Sequence, residues 1–458
     1  MKSKVLLVQA ISMEGLDIER VYPIGIVTLG TLLHRSGQFD VTIFDMNMAQ
    51  NPYADLKAQI DEVQPDVIGI SLRNLDPLGN RTTSLIVPFA MTVRFIHQFA
   101  PDTPLMAGGT AFTLFPERLM TDFPEIAAGV VGEAEHNAVP LTLALSERET
   151  PPDLPGIIRR KDGAVHLNPP AADFDMKDYK QIDRTLLSPE PYLKVNKYVE
   201  SIGIETKRGC CFHCGYCAYP KLSGRCMRLR DPISVVDEIE DLNKRYGVTR
   251  FHLTDSIVNF PAPHLDTICE ELLRRDLNIH WSGFFREDLL TRENAKLYAD
   301  SGCESFSLSP DGLCQKHLDM LKKHLTVDQI LDTARVLADT GIIAVYHFLV
   351  NVPGESPETV AEAKKLIDAI YGIHAGTKSL GTIVLNLIRI MPGTKIERLA
   401  LENGVITADT DLLYPVFYDP PAMRTSRYEL EVYHQTRNIA MWNGFDLPKP
   451  MHSSKENS

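Results

Sequence analysis

Short apolar runs alternate with helical periodicities from the start of the chain to about residue 145: KVLLVQA, PIGIVTLGTLLHRSG, VTIFDM, DVIGISL, PLMAGG and AAGVVGE follow one another with polar stretches between them. A strand buried on both faces reads as an unbroken apolar run, and such runs interleaved with helices indicate a parallel sheet. The pattern predicts an α/β fold that begins with a doubly wound parallel sheet over 1–145. Its first helix carries Pro23 in the opening turn, Ile24, Val27 and Leu32 along its apolar side, and Gly37 as a stop. Residues 146–200 are rich in Pro and Asp and weakly periodic, which reads as a linker with one hairpin around Lys161, Asp162 and Gly163. From 201 to about 400 the alternation resumes with SIGIETK, RFHLTD, IHWSGFF, ESFSLSP, AVYHFLVNV and TIVLNLIRIM. These units predict a partial (β/α)6 barrel with its chemistry at the carboxyl ends of the strands. Residues 401–458 read as a short C-terminal cap and a polar tail.

Composition narrows the setting. A hydrophobic content of 44% and a charged content of 23% over 458 residues are those of a globular chain. The opening MKSKVLLVQA is too short an apolar run for a secretory signal, and no stretch reaches the ~18 apolar residues of a membrane span. A cytoplasmic protein without a transmembrane segment is expected. The net charge of −13 argues against a nucleic-acid partner, because phosphate binding needs concentrated Lys and Arg.

Four of the eight cysteines fall in one segment, KRGCCFHCGYCAYP, while Cys226, Cys269, Cys303 and Cys314 are scattered singly. Sparse thiols do not make a disulfide scaffold, and clustered thiols in a reducing compartment point to metal. Cys210, Cys214 and Cys217 form C-x3-C-x2-C directly after the first strand of the second region, so three thiolates converge from one loop. Three thiolates suit an iron–sulfur cluster that leaves one iron open to another ligand. The alternatives are a zinc site, for which Cys211 and His213 would have to complete the set, or incidental thiols. Cys211 itself reads as a packed thiol.

The segment GIETKRGCCFHCGYCAYP resembles the cluster loop of the radical S-adenosylmethionine (SAM) superfamily. The resemblance implies that Cys210, Cys214 and Cys217 ligate a [4Fe-4S] cluster whose open iron binds SAM, and that Tyr216 packs beside adenine. FHLTDSIVN resembles the family's second strand and places Asp255 and Asn259 near SAM, although the Gly-Gly-Glu form of that motif is missing. WSGFFRED resembles the third strand, with Arg286 facing the site, and FSLSPDG the fourth, with Ser309 or Asp311 as polar contacts. LVNVPGESPETV resembles the fifth-strand turn, where Pro353, Gly354 and Glu355 shape the backbone near SAM, and IRIMPGT resembles the sixth strand.

The first region lacks the G-x-G-x-x-G of a dinucleotide site, and Asp45, where a ribose-binding acid would stand, reads as a solvated strand-end residue. Ahead of such a barrel, YPIGIVTLGTLLHRSGQFDVTIFDMN, PDVIGISLRN, AGGTAFTLFPE and GVVGEAEHN are similar to the domain of the cobalamin (B12)-binding branch of the superfamily. No D-x-H-x-x-G supplies a histidine to cobalt. The resemblance implies cobalamin as a second cofactor, with Arg73 on the lower face of the corrin and Gly108, Gly109 and Thr110 where the nucleotide tail approaches closely.

This branch implies a class B radical SAM methyltransferase: a 5′-deoxyadenosyl radical takes hydrogen from substrate, and methylcobalamin delivers methyl to an unactivated, carbon centre. The alternatives are a cobalamin-dependent cyclase or rearranging enzyme and a non-catalytic cobalamin or SAM sensor. A reductant such as flavodoxin or ferredoxin is implied as partner. Lys207, Arg208, Arg225, Arg228 and Arg230 cluster near the cysteines in an otherwise acidic chain, where they would meet the SAM carboxylate or an acidic electron donor. Tyr414, Phe417, Tyr418 and Trp442 are candidate pocket walls. Replacing Cys210, Cys214 or Cys217 by Ala, one at a time, is expected to abolish reductive SAM cleavage and Cys211→Ala to preserve it, as measured by 5′-deoxyadenosine release.

Overall fold

Each apolar run of the first region forms a strand. The structure, a computed structural model, describes residues 2–10, 20–76, 83–193 and 200–436. Strands β1 (Ser3–Gln9), β2 (Phe39–Asp45), β3 (Val67–Ser71), β4 (Leu105–Gly108) and β5 (Ile126–Val130) are parallel and lie in the order β2-β1-β3-β4-β5. Val5, Leu6, Leu7 and Val8 are all fully buried, because helices cover both faces of the sheet. The helix Ile24–Arg35 buries Val27 and Leu33, while Leu32 is only half-buried, so its apolar stripe is displaced by one residue from the expected one. The strand order reverses between β1 and β3, and in such sheets the crevice for a ligand opens outside the carboxyl ends at that point.

Residues 146–193 contain the expected hairpin but are more than a tether, because the hairpin joins the first sheet. β6 (Ile157–Lys161) and β7 (Ala164–Leu167) turn through Asp162 and Gly163 and extend the first sheet antiparallel to β5. Further along, Tyr192 donates its hydroxyl to Asp45 at 2.7 Å and meets Tyr22 edge-on. Asp45 is therefore neither solvated nor a ribose contact. It is 6% exposed, accepts from the Asn47 backbone, and anchors the returning chain.

The second region forms an open sheet of six parallel strands: β8 (Gly203–Ile204), then, after the short hairpin β9 (Lys207–Arg208) and β10 (Arg228–Leu229), β11 (Arg250–Leu253), β12 (His280–Phe285), β13 (Cys303–Asp311), β14 (Ile343–Val350) and β15 (Leu380–Leu387). The strands lie side by side in chain order from β8 to β15, as a partial barrel requires. Trp281 and Phe285 are buried against the outer helices, while Ser282 and Phe284 alternate with them onto the inner face. One continuous apolar core runs from β1 and the helix Ile24–Arg35 through Tyr192 into the barrel strands and helices.

The cap returns on the barrel. The helix Arg424–Gln435 packs on the helix Pro357–His374 through Lys364–Glu429 and a Tyr433–Asp368 hydrogen bond. Trp442 lies outside the described residues. No helix among the described residues is long and apolar enough to cross a membrane.

A buried ionic triad ties the connecting segment to the barrel: Glu238, on the helix Pro232–Tyr246, lies 2.9 Å from Arg184 and 2.9 Å from Arg230, and all are almost wholly buried. Glu238→Ala is expected to destabilise the protein by roughly 3–5 kcal/mol, because it strands two buried guanidinium groups. The expected readout is a lower urea midpoint at unchanged slope.

Candidate functional site

After β8 the chain crosses the barrel mouth and is pinned before the cysteines begin. Asp255 accepts the backbone N–H groups of Thr206 at 2.8 Å and Lys207 at 3.1 Å, and the Thr206 hydroxyl at 2.5 Å. Lys207 is buried beside it, with Nζ 3.9 Å from the carboxylate and donating to the Val258 carbonyl at 2.6 Å. Gly209 has φ +89°, and any Cβ there would run into the Cys226 carbonyl, so only glycine turns the chain at this point. Gly215 is held from both sides: its N–H donates to the Leu321 carbonyl at 2.8 Å and its carbonyl accepts from Ile396 at 3.1 Å.

Cys210 and Cys214 stand between these pins and Cys217 just beyond the second, all half-buried, with Cys211 beside them. Burial pushes the Cys214 thiol up and that of Cys217 up to about 12, with the neighbouring thiols raising Cys217 further. These two thiols are therefore protonated at neutral pH, and metal binding must expel their protons. Among the described residues no group of His, Cys, Asp and Glu closes around a single metal ion. The donor set fits a polynuclear cluster, in which separate irons take separate thiolates, better than zinc, which needs its ligands on one small sphere.

The first sheet reaches this loop directly. Glu133, beyond β5, receives Arg228 at 2.7 and 2.8 Å and lies 3.7 Å from Arg208, which also forks onto Glu205 at 2.9 Å and pairs with Glu135 at 2.5 Å. Burial alone would push the Glu133 carboxyl up, but the two arginines outweigh it and hold it below the usual range. A second bridge joins Asp76, beyond β3, to Arg389, beyond β15, at 2.7 Å. That bridge helps wall a cavity of about 330 Å3, lined also by Arg73, Thr110 and Leu114 from the first region, by Leu222 and Met391 from the second, and by Phe417 from the cap. Arg73 is accessible yet walled in by protein, so burial lowers its pKa, and it lies close enough to His252 on β11 to help depress that imidazole to about 4, after burial itself. Gly109, at φ +105°, has no room for a Cβ, which would sit 2.5 Å from the Leu72 carbonyl. The Thr110 hydroxyl closes the turn on the Arg73 carbonyl, and a Cβ on Gly108 would only touch the Val130 carbonyl at 3.7 Å.

Residues 204–367 match the family model for the radical SAM superfamily, and residues 19–141 match that for the B12 binding domain. The chain is a radical SAM protein with an N-terminal B12-binding domain. It is 29% identical over 352 residues to the anaerobic magnesium-protoporphyrin IX monomethyl ester cyclase of Rubrivivax gelatinosus, covering 75% of this chain and 61% of that one. It is 24% identical over 406 residues to the tryptophan 2-C-methyltransferase of Streptomyces laurentii, covering 75% and 67%. Its fold matches the radical SAM methyltransferase TsrM from Kitasatospora setae, solved with cobalamin and a [4Fe-4S] cluster bound, with a TM-score of 0.74 and 25% identity over 89% of this chain and 80% of that one.

Within this radical SAM barrel, several expected SAM contacts serve as scaffold. Asp255 holds the cluster loop, as described. Asn259 spends its amide on the Arg286 backbone, donating to its carbonyl and accepting its N–H, both at 2.9 Å. Arg286 lies over the Phe212 ring at 4.0 Å, pairs with Asp288 at 2.7 Å, and donates to the Lys323 and His324 carbonyls at 3.0 Å, so it clamps the cluster loop. Tyr216 is anchored by its hydroxyl to Asp311, which also pairs with Lys323 at 2.8 Å. Ser309 is half-buried on β13, and Gly354, at φ +90°, offers its carbonyl to Lys316 at 2.7 Å. Of the five cations noted near the cysteines, Lys207, Arg208, Arg228 and Arg230 are committed to internal partners and Arg225 is exposed. In the cap, Phe417 lines the cavity, Tyr418 is core, and Tyr414 is exposed.

Sequence reasoning missed the inner face of the barrel. His252 bonds Ser282 through Nδ1 at 3.0 Å, and Phe284, 38% exposed in a central strand, stands between His252 and His347. These alternate with core residues along β11, β12 and β14, which is the one signal the sequence offered. Glu287 was also missed: it is 1% exposed and neither carboxylate oxygen has a hydrogen-bond partner. Burial, with Asp311 adding to it, raises its carboxyl from 4.5 to about 7 despite Lys323 and Arg286. A carboxyl raised on folding contributes its full stability below its unfolded value and loses it as pH climbs through 7. Glu287→Gln is therefore expected to stabilise the cofactor-free protein at pH 8, on the order of 2–4 kcal/mol, and to change little at pH 5, as read from denaturant midpoints at the two pH values.

Proposed function

We propose that this chain is a cobalamin-dependent radical SAM methyltransferase that acts on an unactivated carbon. The observation that carries the proposal is the shared cavity: Arg73 and Thr110, from the edge where a B12-binding sheet receives its ligand, line it together with Leu222 and Met391 of the region that carries the cysteine loop and Phe417 of the cap. A carbon without a lone pair cannot attack an ordinary methyl donor. SAM and the cluster supply a hydrogen-abstracting 5′-deoxyadenosyl radical, and cobalamin supplies the methyl group.

The chain's own groups do the holding. Cys210, Cys214 and Cys217 would hold the cluster, and the Tyr216 ring, fixed by Asp311, would present a flat wall to adenine. Glu287 is a buried carboxylate with neither oxygen partnered, and half-buried Glu355 has one buried, unpartnered oxygen and is raised to about 7 by burial. Either would gain by receiving the ammonium of SAM, which restores the missing counter-charge. Arg73, whose guanidinium has no lone pair to offer a metal, would line the cobalamin site from the edge of the first sheet. Leu222, Met391 and Phe417 would exclude water from the space between the cofactors.

A second reading, cyclisation, is favoured by the similarity to the magnesium-protoporphyrin cyclase. The two differ in where the SAM methyl goes. Protein reconstituted anaerobically with iron, sulfide and hydroxocobalamin and then desalted is expected to carry roughly four irons and one cobalt per chain, and under reduction to release both 5′-deoxyadenosine and S-adenosylhomocysteine. Iron without cobalt would overturn the methyl-transfer reading, and 5′-deoxyadenosine without methyl consumption, with both metals bound, would favour cyclisation.

A further inference from the structure

A second cavity opens on the outer side of the cluster loop. It encloses about 240 Å3, and Cys214 and Cys217 form part of its wall together with His213, Lys221, Arg225, Lys322 and Lys395; no carboxylate lines it. In a chain of net charge −13 this is an unusual concentration of one sign. Lys221, Arg225 and Lys322 are exposed, and none makes an ion pair among the described residues. Lys322 and its neighbour point to opposite sides of the loop: Lys323 turns inward to Asp311, while Lys322 stays at the cleft. The walls are rigid, because Gly215 is bonded to Leu321 on one side and to Ile396 on the other, and Lys395 is bonded to the Met320 carbonyl at 2.9 Å.

We infer that this cleft is the landing site of a small acidic one-electron carrier protein, which reduces the cluster through the wall formed by Cys214 and Cys217. The inference rests on the reading of those cysteines as cluster ligands. One electron leaves the carrier, which is oxidised, and enters the cluster, which is reduced; no bond is made or broken. Complementary charge draws the carrier to the face where the thiolates come nearest the surface, and such steering accelerates encounter about 10- to 1000-fold at low salt.

The test is the triple charge reversal Lys221→Glu, Arg225→Glu, Lys322→Glu in the reconstituted protein. Cluster bleaching is followed by stopped flow with two reductants, photoreduced acidic flavodoxin and reduced methyl viologen, and binding of oxidised flavodoxin is titrated separately. Reduction by flavodoxin is expected to slow at least tenfold and to lose its steep dependence on ionic strength, flavodoxin binding is expected to weaken in parallel, and reduction by the viologen cation is expected not to slow. Equal slowing with both reductants would overturn the inference, since the cations would then act on the cluster and not on the carrier. Unchanged flavodoxin binding and reduction would also overturn it, with the cluster reading intact. Absence of iron would instead defeat the cluster reading, and the flavodoxin titration would still decide whether the cleft binds an acidic carrier.

Discussion

Glu133 is shared by two arginines, and the relation between the two halves of the molecule depends on that contact. It leaves the carboxyl edge of the first sheet and meets Arg208 and Arg228, which flank the cysteine segment at β9 and β10. Desolvated ion pairs of this kind add little net stability, yet removing one partner is costly, so they act mainly by fixing one arrangement over its competitors. Here the arrangement fixed is the distance between a cluster loop and the edge of a B12-binding sheet. The Asp76–Arg389 bridge repeats the device in the wall of the shared cavity.

Most polar residues close to the cysteines turn out to be structural. Asp255 binds the backbone that enters the cysteine loop, Asn259 binds the Arg286 backbone, and Arg286 lies over Phe212 of the loop while it bonds the Lys323 and His324 carbonyls. A cluster loop exposed on one side needs such support, because a radical reaction tolerates little misplacement of its reacting groups. Among the described residues the uncommitted groups include Glu287 and one oxygen of Glu355, both buried, and Arg73 in its cavity. Unpaired buried charge is expensive in the empty protein, which is what a site built to receive charged cofactors should display.

Much of the architecture was legible in the chain. The apolar runs of both parallel sheets stood out because strands buried on two faces admit little but apolar residues, and the cysteine spacing stood out because three thiols on one loop have few uses. The hairpin of residues 157–167 was legible as a hairpin but not as part of a sheet, since an edge strand alternates weakly and its pairing depends on β5. Asp45 looked like a solvated strand end because the residue that buries it, Tyr192, lies far away in the chain.

What the sequence by itself determined is therefore local and compositional: strand, helix and the three-cysteine loop with the cofactor chemistry it implies. Tertiary structure decided which polar groups are free. Lys322 and Lys323 are identical neighbours, yet one is buried against Asp311 and the other lines an open cleft; Asp255 and Glu287 are both buried acids, yet one is fully bonded and the other has no partner. The reason is physical: a side chain's charge and hydrogen-bonding role are set by the groups packed around it, and those come from segments that only folding brings together.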